Sequence, residues 1–272
     1  MTTADRRAWL GTQLERAAGV LNVTTAGPPV FGWRDRTIGT RVYTSEGEHW
    51  LRVVADMAYW ASGPIWTGNH DARAISGVPK PELRAEQDWS EGDCRLRAEL
   101  MTLAPSPSIA DDMVLRTTPD LTARWWTDLR HAVDTLAEHP TERLCVHGPT
   151  LRLRLLATFG VDIDPAELEW ACAHGDLHWA NLTAPHLCLL DWEAWGMAPA
   201  GYDPAVLYCA SILNPDIRNQ VHTTFADQLD TSTGRVAQLA AILKLLCLVE
   251  DGEHIDIAAP LHHHARTLIP HC

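Results

Sequence analysis

The stretch Ala173-His-Gly-Asp-Leu-His-Trp-Ala-Asn-Leu-Thr-Ala-Pro-His-Leu-Cys-Leu-Leu-Asp-Trp-Glu193 gathers most of the side chains in this sequence whose types and spacing could do chemistry. Asp176 and Asn181 stand five residues apart, and Asp191 follows the apolar run Leu187–Leu190. A loop followed by a small hairpin can bring all three to one point. A hard cation such as Mg²⁺ takes oxygen ligands, and the Asn181 amide and Asp191 carboxylate suit it. Asp176 is then left to orient a hydroxyl and take its proton. A second reading uses other residues of the same stretch. His174, Asp176 and His178 alternate, so on a strand they would share a face, and with Asp191 they could form the ligand set of a metal-dependent hydrolase. That reading gives Asn181 no task.

The elements that must position these groups follow from periodicity. An amphipathic helix is expected over about residues 4–19, then strands at Val30–Trp33, Arg41–Thr44 and His49–Val54, with a tight turn at Ser45-Glu46-Gly47. A short helix is expected near residues 69–75, then an extended Gly77–Pro81 and two more strands. The second of these, Cys94–Leu100, alternates polar with apolar, which predicts one covered face and one wet face. Residues 101–113, with Pro105 and Pro107, read as a hinge. Thr118-Pro119-Asp120 predicts a helix start, followed by an apolar face of Leu121, Trp125, Leu129, Val133 and Leu136. A helix over about 150–159 should stop at Gly160. β-like patches at Trp170–Asn181 and Leu187–Asp191 precede the final helices. The pattern is α+β and bilobal: a small β-rich lobe (1–100), the hinge, and a larger helical lobe (114–272).

Composition limits the partners. The chain has 272 residues, 46% apolar and 21% charged, which is globular and not disordered. It carries 22 bases against 35 acids, a net charge of −13, which argues against nucleic acid or an anionic membrane as partner. Residues 1–102 hold 12 bases and 13 acids, whereas residues 103–272 hold 10 and 22. An acidic C-terminal region favours a cationic ligand. Seven cysteines without a Cys-x-x-Cys pair fit a reducing compartment. The opening residues read as an amphipathic helix and not a signal peptide. The apolar run Val236–Val249 is interrupted by Gln238 and Lys244 and is too short to span a bilayer. A cytoplasmic protein is expected. Only two bases are lysines, Lys80 and Lys244. His262, His263 and His264, adjacent on a helix, would spread around it and could not converge on one ion.

His174-Gly-Asp-Leu-His-Trp-Ala-Asn181 resembles the HxDxxxxN catalytic loop of the aminoglycoside phosphotransferase and choline kinase superfamily. Leu189-Leu-Asp-Trp-Glu193 resembles that superfamily's second metal-binding motif, and the segment from Gly196 to Asp203-Pro-Ala205 its downstream G-P-D-x-A. The resemblance covers nearly the whole chain and implies a protein-kinase-like fold with ATP- or GTP-dependent phosphorylation of a small-molecule hydroxyl. It implies Asp176 as the catalytic base with His174 bracing the loop, Asn181 and Asp191 as Mg²⁺ ligands, and Asp203 as a structural acceptor of loop hydrogen bonds. Trp192 and Trp195 would be packing.

The same resemblance implies nucleotide between the lobes, its base on the backbone of Met101, Thr102 and Leu103. It also implies a lysine on the third strand, where this chain has Arg52. Arginine binds phosphates through two N–H groups, and Asp71 is the nearest carboxylate for a partner. The segment Gly32–Gly39 would cover the phosphates. The short interval from Asn181 to Asp191 predicts a tight hairpin. The expected acceptor is an aminoglycoside-like or other hydroxylated antibiotic, with resistance as the biology, and Glu193, Asp216, Glu250, Asp251 and Glu253 as candidate contacts. A kinase-fold binding protein that has lost transfer is the remaining rival, because the strand lysine is replaced.

Overall fold

The N-terminal helix α1 (Thr3–Val20) starts with a reciprocal cap: the Thr2 hydroxyl accepts from the Asp5 N–H while the Asp5 carboxylate accepts from the Thr2 N–H. Its Leu10, Leu14, Ala17 and Ala18 are buried against a sheet in this computed structural model, which describes residues 2–269. The sheet is antiparallel, in the order β1-β3-β4-β6-β5, with β2 also pairing β3. Its strands are β1 (Thr24–Thr25), β2 (Val30–Phe31), β3 (Thr37–Thr44), β4 (Gly47–Met57), β5 (Leu83–Glu91) and β6 (Cys94–Thr102). Strand alternation sends Leu51, Val53 and Ala55 of β4, with Leu96, Ala98 and Leu100 of β6, toward α1. Arg52, Arg97 and Glu99 therefore point to the opposite face, where α2 (Gly63–Asp71) packs through Trp66.

This arrangement corrects one expectation. Strand β6 has no wet face: Leu96 through Met101 are all buried. It lies between β4 and β5 with a helix over each face, so its polar alternate residues are covered and ion-paired. Helix α2 also begins earlier than the expected 69–75, at Gly63 with Pro64 in its first turn, and continues as a single 3₁₀ turn over Ala72–Ala74.

The chain divides into two compact units, one of residues 1–73 and 80–104, the other of 74–79 and 105–272. The second unit contains α3 (Ala123–Ala137), α4 (Gly148–Phe159), the strand pair β7 (Trp170–Ala173) and β8 (Gly196–Pro199), then α5 (Tyr202–Ala210), α6 (Pro215–Leu229), α7 (Ser232–Glu250) and α8 (Ala258–Leu268). Helix α3 starts later than expected. Thr122 is its cap, accepting from the Trp125 N–H, while Thr118 accepts a hydrogen bond from Asn214 at 2.9 Å and stays outside the helix. Helix α4 ends at Gly160, whose φ of 70° is the left-handed stop the sequence predicts. The partner of β7 is β8, while the Leu187–Asp191 patch folds back on residues 181–183 about the Leu182–Leu189 bridge. Helix α7 is long and apolar enough by composition to cross a membrane, yet it is mostly buried among α4, α5, α6, α8 and β8.

Candidate active site

The loop after β7 is fastened from three sides. Gly175 adopts φ 80°, and a Cβ there would lie 2.6 Å from both the Ala194 carbonyl oxygen and the Cys145 sulfur, so only glycine fits. From α5, the Asp203 carboxylate accepts the backbone N–H of His174 at 2.6 Å and of Gly175 at 2.9 Å. Burial pushes Asp203 up to about 6, against those two bonds, which favour the charged form. Beneath the loop, Trp179 is wholly buried, stacks on Trp125 at 6.3 Å between centroids and donates to the Ser211 hydroxyl at 2.9 Å.

His174 is also enclosed. Its Nε2 donates to the Leu190 carbonyl at 2.9 Å, its Nδ1 accepts the Asp176 N–H, and Trp192 lies edge-on at 4.8 Å. Burial pushes its pKa down to about 4, so the ring is neutral. With both nitrogens engaged, His174 offers no lone pair to a metal, which removes the ligand set of the hydrolase reading.

Asp176 is partly open, with 27% of its side chain exposed, and is the centre of a polar cluster. Asn181 donates its amide N–H groups to the Asp176 backbone carbonyl at 3.0 Å and to Oδ2 at 3.3 Å. His178 Nε2 lies 3.3 Å from the same Oδ2, and its Nδ1 is buried without a hydrogen-bond partner. Lys244, from the middle of α7, donates to Asp176 Oδ1 at 2.5 Å and to the Gly175 carbonyl at 2.7 Å. Burial alone would raise the Asp176 pKa; the Lys244 ammonium, with His178, outweighs it and holds the carboxyl well below the usual carboxylate range.

The hairpin between the candidate metal ligands is tight. Leu190 donates to the Asn181 carbonyl at 2.8 Å, one rung beyond the Leu182–Leu189 bridge, and Asp191 follows in the left-handed region at φ 60°. Asn181 and Asp191 thus emerge from neighbouring chain ends. With its N–H groups turned to Asp176, Asn181 keeps an amide oxygen for a hard cation, and Asp191 is an exposed carboxylate. This all-oxygen pair fits Mg²⁺. Trp192 and Trp195 are buried packing residues, the latter under the Arg143 guanidinium at 4.5 Å.

In the first unit, Arg52 and Glu99 are directly opposite on β4 and β6 and bond at 2.8 Å, and Asn69 of α2 donates to the same Glu99 oxygen at 2.9 Å. Glu99 is a carboxylate partner of Arg52 that the sequence reading missed, and Asp71 accepts from the Thr67 hydroxyl at 2.6 Å. The Gly32–Gly39 segment is a short hairpin closed by Gly32 N–H to the Thr37 carbonyl, and Arg7 clasps its Asp35 at 2.9 Å. Met101 and Thr102 belong to β6 and not to a linker. The Thr102 N–H is bonded to the Glu82 carbonyl, and Leu103 follows the strand. Of the acceptor candidates, Glu250, Asp251 and Glu253 cluster at the end of α7, Asp216 lies in the first turn of α6, and Glu193 follows Asp191. His264 is buried and bonded to Gln238 at 2.9 Å, and its ring takes part in core packing.

Lys244 is the other residue the sequence reading passed over. Its signal was present: one ammonium inside an otherwise apolar helical run, in a chain with two lysines.

An antiparallel sheet followed by a helical part with this anchored loop has the protein-kinase-like fold of small-molecule kinases. Among solved structures the chain is similar to spectinomycin phosphotransferase in complex with ADP and spectinomycin, at 11% identity over 93% of each chain with a TM-score of 0.50. An ethanolamine kinase from Plasmodium vivax matches at 10% identity over 89% of this chain and 81% of its own, with a TM-score of 0.49. No family model and no curated protein sequence matches the chain.

Proposed function

We propose that this chain is a small-molecule kinase that moves the terminal phosphoryl group of ATP or GTP to a hydroxyl of a small acceptor. The observation that carries this reading is the anchored loop: a partly open Asp176 carboxylate beside the Asn181 amide, on a backbone held by Asp203. Phosphoryl transfer asks a protein mainly for positioning and charge compensation, and such a loop supplies the first. Asp176 orients the acceptor hydroxyl and takes its proton as the oxygen bonds to phosphorus. Asn181 and Asp191 would hold Mg²⁺, which supplies charge neutralisation at the phosphates. In the first unit, Arg52 is the base offered to nucleotide phosphates, with Glu99 and Asn69 fixing its surroundings.

Three features support the acceptor class. The similar phosphotransferase holds ADP with a hydroxylated antibiotic. Residues 103–272 are strongly acidic. Glu250 and Asp251 stand at the negative end of the α7 dipole with no base in its last turn, a placement that a cationic ligand would relieve. An antibiotic-modifying enzyme of the cytoplasm is the corresponding biology.

The test is an ADP-release screen with ATP and Mg²⁺ over amine-bearing and neutral hydroxylated antibiotics, with product masses measured. A gain of one phosphoryl group on an amine-bearing acceptor is the expected result. Nucleotide binding with no phosphorylated product across the panel would mark a kinase-fold binding protein instead. A response to neutral acceptors alone would remove the electrostatic part of the reading.

A further inference from the structure

The Lys244–Asp176 pair is unusual in its surroundings. Helix α7 is buried along most of its length, and Ile242, Leu243, Leu245 and Leu246 flank Lys244. From α7 the Lys244 side chain reaches the catalytic loop at Gly175 and Asp176. The Lys244 and Asp176 side chains are each partly exposed, 29% and 27%. An ammonium has three N–H donors; here one meets Asp176 Oδ1 and another the Gly175 carbonyl.

This geometry is in tension with the task proposed for Asp176. A carboxylate oxygen clasped by an ammonium at 2.5 Å is a poor acceptor for a hydroxyl proton. The clasp has to loosen when the reactants arrive, and an arriving phosphoryl group is the anion able to compete for the lysine. The chain as a whole uses arginine for 20 of its 22 bases. Lysine differs in being a compact point charge on a flexible stem, suited to changing partners, whereas a guanidinium fork is suited to one fixed planar partner.

We propose that Lys244 is a catalytic residue whose ammonium passes from Asp176 to an oxygen of the transferring phosphoryl group. The inference rests on the kinase reading above and adds one contact to it. In the step, the acceptor O–H proton goes to the freed Asp176 oxygen and the acceptor oxygen forms its bond to the terminal phosphorus. The bond from that phosphorus to the bridging oxygen breaks, and its electron pair leaves with the nucleoside diphosphate. Lys244 stays protonated throughout and offsets charge on the moving group.

The contact is specific to a terminal phosphoryl, so the test compares triphosphate with diphosphate and needs no acceptor. Binding of a non-hydrolysable ATP analogue and of ADP, each with Mg²⁺, is measured by calorimetry for the full chain and for Lys244→Met and Lys244→Arg. Lys244→Met is expected to weaken the triphosphate analogue by about 10- to 100-fold while leaving ADP within about 2-fold, with Lys244→Arg between. A second measurement on the unmutated chain covers the case in which Lys244→Met does not fold. A small amine-acylating reagent is followed by peptide mass spectrometry, and Lys244 should be protected by the triphosphate analogue and far less by ADP. The chain's other lysine, Lys80, has a side chain that is 3% exposed and adds little background.

Equal losses for the two nucleotides, or equal protection by them, would make Lys244 a structural partner of Asp176 and overturn the proposal. An unmutated chain that binds neither nucleotide overturns the kinase reading itself, and the proposal with it.

Discussion

Two ion pairs, one in each unit, use the same chemistry in opposite ways. Arg52 and Glu99 face each other across a ladder rung, with side chains 11% and 3% exposed, and Asn69 bonds the same carboxylate. Lys244 and Asp176 join a helix to a loop, and both side chains are partly exposed. A pair opposed in register inside a sheet is held by the ladder itself, so its worth is in fixing geometry. A pair at a solvent-open point loses less when parted, because water or an arriving ligand replaces the lost partner. The sheet pair is built to stay and the loop pair to change.

The largest effect expected from that contrast is on turnover. Asp176→Ala should lower phosphoryl transfer by about 100- to 10,000-fold, far more than its fall in melting temperature accounts for, read by ADP release and thermal denaturation side by side. A variant that unfolds instead would erase the contrast. Glu99→Ala should cost about 3 kcal/mol of unfolding free energy by urea titration, since it removes the buried carboxylate that Arg52 and Asn69 share. A loss under about 1 kcal/mol would show the sheet pair to be as replaceable as the loop pair.

Acid acts on two buried groups of the second unit. Burial holds His264 down to about 4 from 6.5, so its contribution to stability is complete above 6.5 and is lost as the pH falls through 4. Asp203, pushed up to about 6 from 3.8, works with the opposite sign and gains as it protonates. Measured against His264→Gln, which removes the first effect alone, the unmutated chain should lose about 3 kcal/mol between neutral pH and 4. The smallest effect tests local structure remote from either pair. Thr122→Ala, which removes the α3 cap, should cost about 1 kcal/mol without changing turnover.

How much of this was legible depended on whether the information was local. The Gly160 stop, the extent of α1 and the tight hairpin before Asp191 follow from residues close in sequence, and the structure has them. The placement of Asp203 under the loop came from a motif. Glu99 could not be found that way, because nothing near it reveals that β6 pairs with β4 in a register opposing Arg52. The expected wet face of β6 failed for the same reason: alternation shows two faces, not what covers them. The Thr118 start of α3 lost to Thr122, since a good capping triplet is indifferent to a distant Asn214. Lys244 is the instructive omission. A charge inside an apolar helix is costly unless it has a partner, and that cost was visible before the partner was.

The hairpin from Asn181 to Asp191 sets a distance independently of its own length. Its two outermost rungs, Asn181 with Leu190 and Leu182 with Leu189, fix how far apart the two candidate ligands begin. Pro185 and His186 at the tip are exposed. Residues added there would lengthen the excursion without moving its base, and closing a loop twice as long costs only about 0.6 kcal/mol. A gap of ten residues in this chain can therefore serve the same spacing as a much longer one elsewhere.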